Sequence, residues 1–199
     1  MKVRNFFMGL FLVSFTSIAL IKWIDFDRLK ITPTVVLDTV HVISEDYPED
    51  IRFFMELIAE IESNGIYHVT NEFGMLGRYQ FNPTTIRELG YSVTHRQFLS
   101  NASLQDSVMY SYMKYNDYHL GELIEQYEGT VINGVRISRA AILAGAHFSG
   151  TGGMRRYLVS HGNEDYNRVD AFGTSLRYYM SRLAHIDVPR LTHYETSTE

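Results

Sequence analysis

The chain has 199 residues, of which 45% are hydrophobic and 21% are charged, and its net charge at neutral pH is -5. This length suits one domain with a substantial core and is too short for two full domains. The acidic balance argues against a nucleic-acid partner, because such partners need a basic face that neutralises phosphates. There is no cysteine, so disulfides, thiolate metal sites and a cysteine nucleophile are excluded.

The N-terminal segment has the pattern of an export signal. Lys2 and Arg4 precede an apolar run over residues 6–21, which is the arrangement of a signal peptide. Small residues near its end suit cleavage, but apolar residues follow them and the run approaches the length of a membrane span. We therefore predict that residues 1–24 are a signal peptide or a signal anchor. The protein would be exported to the periplasm or cell envelope, with residues 6–24 able to anchor it in the inner membrane.

Helices dominate the elements predicted after this segment. Residues 25–47 show no clean hydrophobic period and are interpreted as a linker. A helix then begins near Pro48, because the fixed φ of proline suits a first turn, and Asn64-Gly65 is a suitable end. Its buried face is marked by apolar residues at helical spacing, namely Phe54, Leu57, Ile58 and Ile61.

Further helix starts are indicated by capping or turn residues. These residues are Asn82-Pro83, Ser103 and Ser138, and two more helices begin near Thr151 and Thr174. The run that follows Ser103 extends to about Tyr127, and residues 129–134 are typical of a turn or short hairpin. No internal repeat is apparent. The sequence therefore predicts a mainly α domain over residues 48–185, followed by a tail over residues 186–199.

One predicted loop, residues 67–81, has the composition of a binding segment. It combines two glycines, several aromatic residues and an amide, and loops of this length inside compact domains tend to be functional. Glycines let the backbone approach a ligand, while aromatic rings and an amide suit the apolar faces and polar rims of sugars.

Glu62 stands where the first helix turns into this loop. Helical angles place it beside Ile58 and Ile61 but separate it only slightly from Glu60, so the helix end decides between the two glutamates. A carboxyl group that is partly buried against aromatic rings can hold a proton and deliver it to a glycosidic oxygen. The position of Glu62 alone would equally suit a solvated glutamate at a helix end.

Three blocks of sequence, in order, resemble a known superfamily. They are Glu62-Ser63, the run Gly-Met-Leu-Gly-Arg-Tyr-Gln over residues 74–80, and the run Ala-His-Phe-Ser-Gly-Thr-Gly-Gly-Met over residues 146–154. The blocks resemble the Glu-Ser, Gly-x-x-Gly-Leu-Met-Gln and Ala-Tyr-Asn-Ala-Gly-Pro-Gly motifs of the soluble lytic transglycosylase and goose-type lysozyme-like superfamily. Residues 170–175 are similar to the start of the final helix in cell-wall muramidases. The resemblance spans about residues 48–185 and implies a lysozyme-like helical fold.

The resemblance also implies roles for individual residues. Glu62 would act as acid and then as base, and the substrate-binding candidates are Ser63, Gly77, Tyr79, Gln80, Phe81, His147 and Phe148. Two positions depart from the superfamily pattern, since Arg78-Tyr79 replaces Leu-Met and His147-Phe148 replaces Tyr-Asn. His147 could replace the missing tyrosine hydroxyl as a donor or could be a structural histidine.

The activity implied by the resemblance is cleavage of peptidoglycan glycan strands between N-acetylmuramic acid and N-acetylglucosamine, without a metal or cofactor. A lytic transglycosylase would form 1,6-anhydromuramyl ends. A hydrolytic muramidase would need a second carboxylate, for which Glu72 is the sequence candidate. A third reading is an inactive module that binds peptidoglycan within an envelope assembly. A metal-dependent hydrolase is disfavoured because no His-Glu-x-x-His pair occurs.

Overall fold

A computed structural model describes residues 43–191, and helices form most of its regular structure. The helices are α1 (Glu49–Ser63), α2 (Pro83–Glu88), α3 (His95–Leu99), α4 (Ala102–Tyr127), α5 (Arg139–Ser149), α6 (Thr151–Val159) and α7 (Leu176–Leu183). The strands are β1 (Val131–Ile132) and β2 (Val135–Arg136), and a 3-10 turn covers Glu164–Tyr166. The mainly α prediction is confirmed.

Several predicted segments lie outside the described residues. They are the signal or anchor segment 1–24, most of the linker 25–47 and the last part of the tail 186–199. Of the helices within residues 43–191, none combines the length and the apolar character that a membrane crossing requires.

Helix α1 has the predicted limits because both of its ends are encoded locally. Pro48 precedes it, and Glu49 and Asp50 occupy its first turn, where acidic side chains are favoured by the helix dipole. Asn64 adopts the left-handed conformation with φ 53°, and its backbone N–H bonds back to Glu60 O at 3.1 Å. This turn ends the helix immediately after Glu62 and Ser63.

Side-chain caps also fix the starts of α2, α5 and α7. Asn82 Oδ1 accepts a hydrogen bond from Thr84 N at 2.8 Å, with Pro83 as the first helical residue. Ser138 caps α5 and Ser175 caps α7 in the same way. The predicted helices at these places are confirmed. The turn or short hairpin predicted over residues 129–134 is a hairpin whose strands β1 and β2 span residues 131–136.

Two local features differ from the sequence prediction. The long helix α4 is capped by Asn101, whose Oδ1 accepts from Leu104 N at 3.0 Å, rather than by Ser103. Helix α3 was not predicted, because its five residues are too few to show a hydrophobic period. A capping box between Thr94 and Gln97 fixes its start.

Helix α5 lies between two hydrophobic clusters and joins them. Ala140 and Ala144 belong to the cluster that packs α1 and the start of α4, whereas Ala141 and Ala146 belong to the cluster of the hairpin, α6 and α7. Small side chains let neighbouring helices approach α5 on all sides, so the helix is buried along most of its length. This burial fixes the end of α5, where His147 and Phe148 lie.

Candidate active site

A cleft of about 660 Å³ opens where α1 ends. Its walls come from the end of α1, from the loop before α2, from the end of α5 and from the loop before α7. Tyr112 of α4, Tyr179 of α7 and Thr85 of α2 also line it. A volume of this order is typical of small-ligand sites, which combine apolar walls with a few polar groups.

Glu62 lies in this cleft with 21% of its side chain exposed. The hydroxyl of Tyr179 donates a hydrogen bond to Glu62 Oε1 at 2.7 Å. His147 Nε2 lies 3.5 Å from the same oxygen. Both neighbours therefore face Oε1, and no hydrogen bond from residues 43–191 reaches Oε2. The carboxyl group is held through one oxygen, while the other is left for a ligand in the cleft.

Tyr179 is a site residue that the sequence analysis missed. Its ring is buried in the core and packs against Phe148, with ring centroids 5.1 Å apart. Burial and the adjacent Glu62 carboxylate raise the pKa of Tyr179 well above its ordinary value. The hydroxyl consequently keeps its proton and remains a donor to Glu62. The only sequence signal is that Tyr179 falls on the apolar stripe of α7 with Leu176 and Leu183.

His147 and Phe148, two of the predicted substrate-binding residues, line the cleft. The His147 side chain is 6% exposed and meets Phe81 edge-on, with ring centroids 5.5 Å apart. Its Nδ1 has no hydrogen-bond partner among residues 43–191. The tautomer that carries its proton on Nε2 fits this environment, because Nε2 is the nitrogen that faces the Glu62 carboxylate.

Gln80 and Phe81 also reach the cleft. Gln80 adopts a left-handed backbone conformation with φ 49°, and its Nε2 donates to Gly77 O at 2.7 Å. One of the two N–H donors of the amide is thereby used within the loop, while the other N–H and the amide oxygen can bond a ligand.

Three predicted binding residues do not line the cleft. Ser63 Oγ donates to Arg78 O at 2.7 Å and ties the end of α1 to the loop. Tyr79 is fully buried, and its hydroxyl donates to Asp106 Oδ1 at 2.8 Å. Gly77 lies against Gln105 of α4, where a Cβ atom would overlap the glutamine side chain. All three residues hold the loop in place on the side away from the cleft. Their predicted contact with substrate is therefore corrected to a supporting role.

The loop is fixed by a buried polar network at the start of α4. Gln105 Oε1 accepts from Arg78 N at 2.8 Å, and Asp106 accepts from the hydroxyls of Tyr67 and Tyr79. The Arg78 side chain donates to the Tyr67 hydroxyl at 2.6 Å and forms an ion pair with Glu56. Arg78 is one of the departures from the superfamily pattern, and it takes part in this network instead of facing the cleft.

The carboxylate that accompanies Glu62 in the cleft is Asp170, not Glu72. Glu72 is exposed and is not part of the cleft wall. Asp170 lies in that wall, and its Oδ1 accepts from the backbone of Phe172 at 2.9 Å and of Thr174 at 2.7 Å. The sequence placed Glu72 near the site because it belongs to the right loop, but the loop turns its side chain to solvent.

Comparison of this chain with protein-family models, curated proteins and solved structures gave no match. Within residues 43–191, no three histidine or carboxylate side chains form a group that could hold a metal ion. The function of the protein is therefore inferred from the cleft and from the sequence blocks that surround the cleft.

Proposed function

We propose that the protein cleaves the glycan strands of peptidoglycan between N-acetylmuramic acid and N-acetylglucosamine, as a lytic transglycosylase. The observation that carries the proposal is the carboxyl group of Glu62, held at one oxygen in an aromatic cleft at the end of a helix. We also propose that the helical domain has a lysozyme-like fold. The sequence blocks around Glu62, Gln80 and His147 support both proposals, because their cleft-lining members meet in one place.

In this mechanism Glu62 acts first as an acid. Tyr179 and His147 both face Oε1, so the proton of a neutral Glu62 belongs on Oε2, which receives no hydrogen bond from the part of the chain that the structure describes. From there it passes to the oxygen that leaves C1 of N-acetylmuramic acid as the glycosidic bond breaks. The carboxylate that results is stabilised by the hydrogen bond that Tyr179 donates.

Glu62 then acts as a base within the same turnover. The 6-hydroxyl of the muramyl residue attacks its own C1, and its proton returns to the Glu62 carboxylate. A bond from C1 to the 6-oxygen replaces the glycosidic bond, so the product is a 1,6-anhydro sugar and water is not consumed. The cycle restores the neutral acid and requires no second carboxylate.

A hydrolytic muramidase is the second candidate, and Asp170 is the observation that favours it. An inverting enzyme places a carboxylate across the cleft from the acid to activate a water molecule. Asp170 lies in the same cleft as Glu62, but its Oδ1 is occupied by two backbone N–H groups of its own loop. Because the anhydro-forming cycle needs no carboxylate besides Glu62, the transglycosylase is the stronger proposal.

The proposal for the cellular setting rests on the N-terminal sequence. A substrate in the cell wall requires export, and the basic and apolar pattern of residues 1–24 is that of a signal peptide or signal anchor. We therefore propose a periplasmic or envelope location, reached either in a released form or through a retained anchor.

Mass spectrometry of the products released from purified peptidoglycan tests the reaction. We expect muropeptides that end in 1,6-anhydromuramic acid, which are lighter by one water molecule than the hydrolytic products. Products that are heavier by one water molecule than the anhydro forms would identify a hydrolytic muramidase. If strands bind the protein and no product is released, the chain is a binding module and the proposal is wrong.

Replacement of Tyr179 by phenylalanine is expected to lower kcat about tenfold, because a donor to the Glu62 carboxylate is lost. The ring keeps its packing against Phe148, so thermal unfolding should change little. Initial rates of glycan cleavage measure the effect. Tyr178→Phe is the control, since that neighbour is 55% exposed. Equal rates for both variants would show that the Tyr179 hydroxyl does not assist Glu62.

A further inference from the structure

Two loops that flank the cleft have the same design although they are far apart in the chain. Residues 71–75 read Asn-Glu-Phe-Gly-Met and residues 170–174 read Asp-Ala-Phe-Gly-Thr. In the first loop, Asn71 Oδ1 accepts from the backbone of the third and fifth residues at 2.9 and 3.0 Å. In the second, Asp170 Oδ1 accepts from the equivalent residues at 2.9 and 2.7 Å.

The backbone of the two loops is closed in the same way. The fourth residue is a glycine with positive φ, 76° for Gly74 and 86° for Gly173, a conformation that glycine adopts without strain. Its N–H bonds to the carbonyl of the first residue at 3.0 Å in one loop and 3.2 Å in the other. An antiparallel bridge flanks each loop, between residues 70 and 76 and between residues 169 and 175. Each loop is therefore fixed by its own hydrogen bonds.

Each loop presents a phenylalanine at its third position. Phe73 is 53% exposed and Phe172 is 69% exposed. The two rings meet edge to face with centroids 5.9 Å apart, and both belong to the wall of the cleft that holds Glu62. Large apolar side chains that are held in solvent by well-bonded loops, beside a site, are typical of ligand contacts.

We propose that Phe73 and Phe172 form an aromatic clamp that binds a sugar ring of the substrate through its apolar face. Pyranose rings present C–H groups on their faces, and aromatic rings contact such faces without a hydrogen bond to a particular hydroxyl. The clamp would hold the strand through the face of a sugar ring, while Gln80 would bond polar groups of the strand elsewhere in the cleft. The identity of the ligand as a glycan rests on the proposed function, whereas the clamp itself rests on the paired loops.

Alanine at either position is expected to raise KM for soluble glycan strands about tenfold and to leave kcat within about twofold. Because the two rings contact each other, the double variant should raise KM by less than the product of the single effects. Phe172→Tyr keeps the aromatic face, so it should raise KM far less than Phe172→Ala does. Initial rates over a range of strand concentrations separate KM from kcat.

Calorimetric titration with N-acetylglucosamine oligosaccharides provides a second measurement that does not require cleavage. The titrated protein is the Glu62→Gln variant, and the clamp substitutions in that background should weaken binding about tenfold. Phe53→Ala is a matched control, because Phe53 is 54% exposed on α1 and is not part of the cleft wall. Circular dichroism confirms that each variant is folded.

The outcomes separate the clamp from the reaction. If cleavage depends on Glu62 but the clamp variants bind and cut as well as Phe53→Ala does, the clamp is wrong and the proposed function stands. If the unchanged protein binds oligosaccharides through the clamp but cleaves nothing, the proposed reaction is wrong and the clamp stands. If it neither binds nor cleaves glycan, both proposals are overturned.

Discussion

Replacement of Glu62 by glutamine is expected to lower the rate of glycan cleavage by about 10² to 10⁴-fold, the range over which a positioned proton donor contributes. Glutamine retains an oxygen that can accept the hydrogen bond from Tyr179, but it has no acidic proton to transfer. The side chain keeps its size, so the fold and the affinity for glycan should be preserved. Release of soluble products from purified peptidoglycan measures the rate.

Two other glutamates provide matched controls for this substitution. Glu60 lies on the same helix and lines a smaller groove beside the cleft, and helical spacing alone hardly distinguishes it from Glu62. Glu72 belongs to the loop but is exposed. Their glutamine variants should cleave at nearly the original rate. A full rate for Glu62→Gln, or an equal loss for Glu60→Gln, would contradict the assignment of the acid.

The helices could be predicted because their signals are local. Asn64 ends α1, and Asn82, Ser138 and Ser175 begin later helices through hydrogen bonds that span two or three residues. The exceptions have local causes too. Helix α3 is too short to show a period, and two cap candidates two residues apart, Asn101 and Ser103, compete for the start of α4.

Residues of the site could be predicted only where they belong to one of the sequence blocks, and only some residues of each block line the cleft. Gln80 and Phe81 line the cleft, whereas Gly77 and Tyr79 in the same run turn away. The side of the loop that faces Glu62 depends on its attachment to α4, and no spacing within the run encodes that contact. Tyr179 was missed for a similar reason, since 117 residues separate it from Glu62.

The matching loops were visible in the sequence but were not recognised as a repeat. Each consists of an Asx residue, a variable residue, phenylalanine, glycine and a second variable residue. Five residues are too few to stand out against chance, and repeat analysis looks for longer periods. Their meaning depends on the fold, because only the packing of the chain brings Phe73 and Phe172 into contact.

Replacement of Asp106 by alanine is expected to lower the free energy of unfolding by about 3 to 5 kcal/mol, the range for breaking a buried charged network. Asp106 is 1% exposed and accepts from the hydroxyls of Tyr67 and Tyr79. Both hydroxyls would lose this acceptor, and the Tyr67 hydroxyl is also the group to which the Arg78 side chain donates. Urea unfolding followed by circular dichroism measures the change.

Glu122→Ala is the control for this substitution, because Glu122 is exposed on the same helix and should change stability by less than about 0.5 kcal/mol. A double-mutant cycle of Asp106→Ala with Tyr79→Phe isolates the hydrogen bond between the two side chains. The network also supports the loop that carries Phe73 and Gln80. Glycan cleavage by Asp106→Asn should therefore fall even at temperatures where the variant is fully folded. Unaltered cleavage under those conditions would mean that the loop keeps its position without the network, and that Asp106 contributes to stability alone.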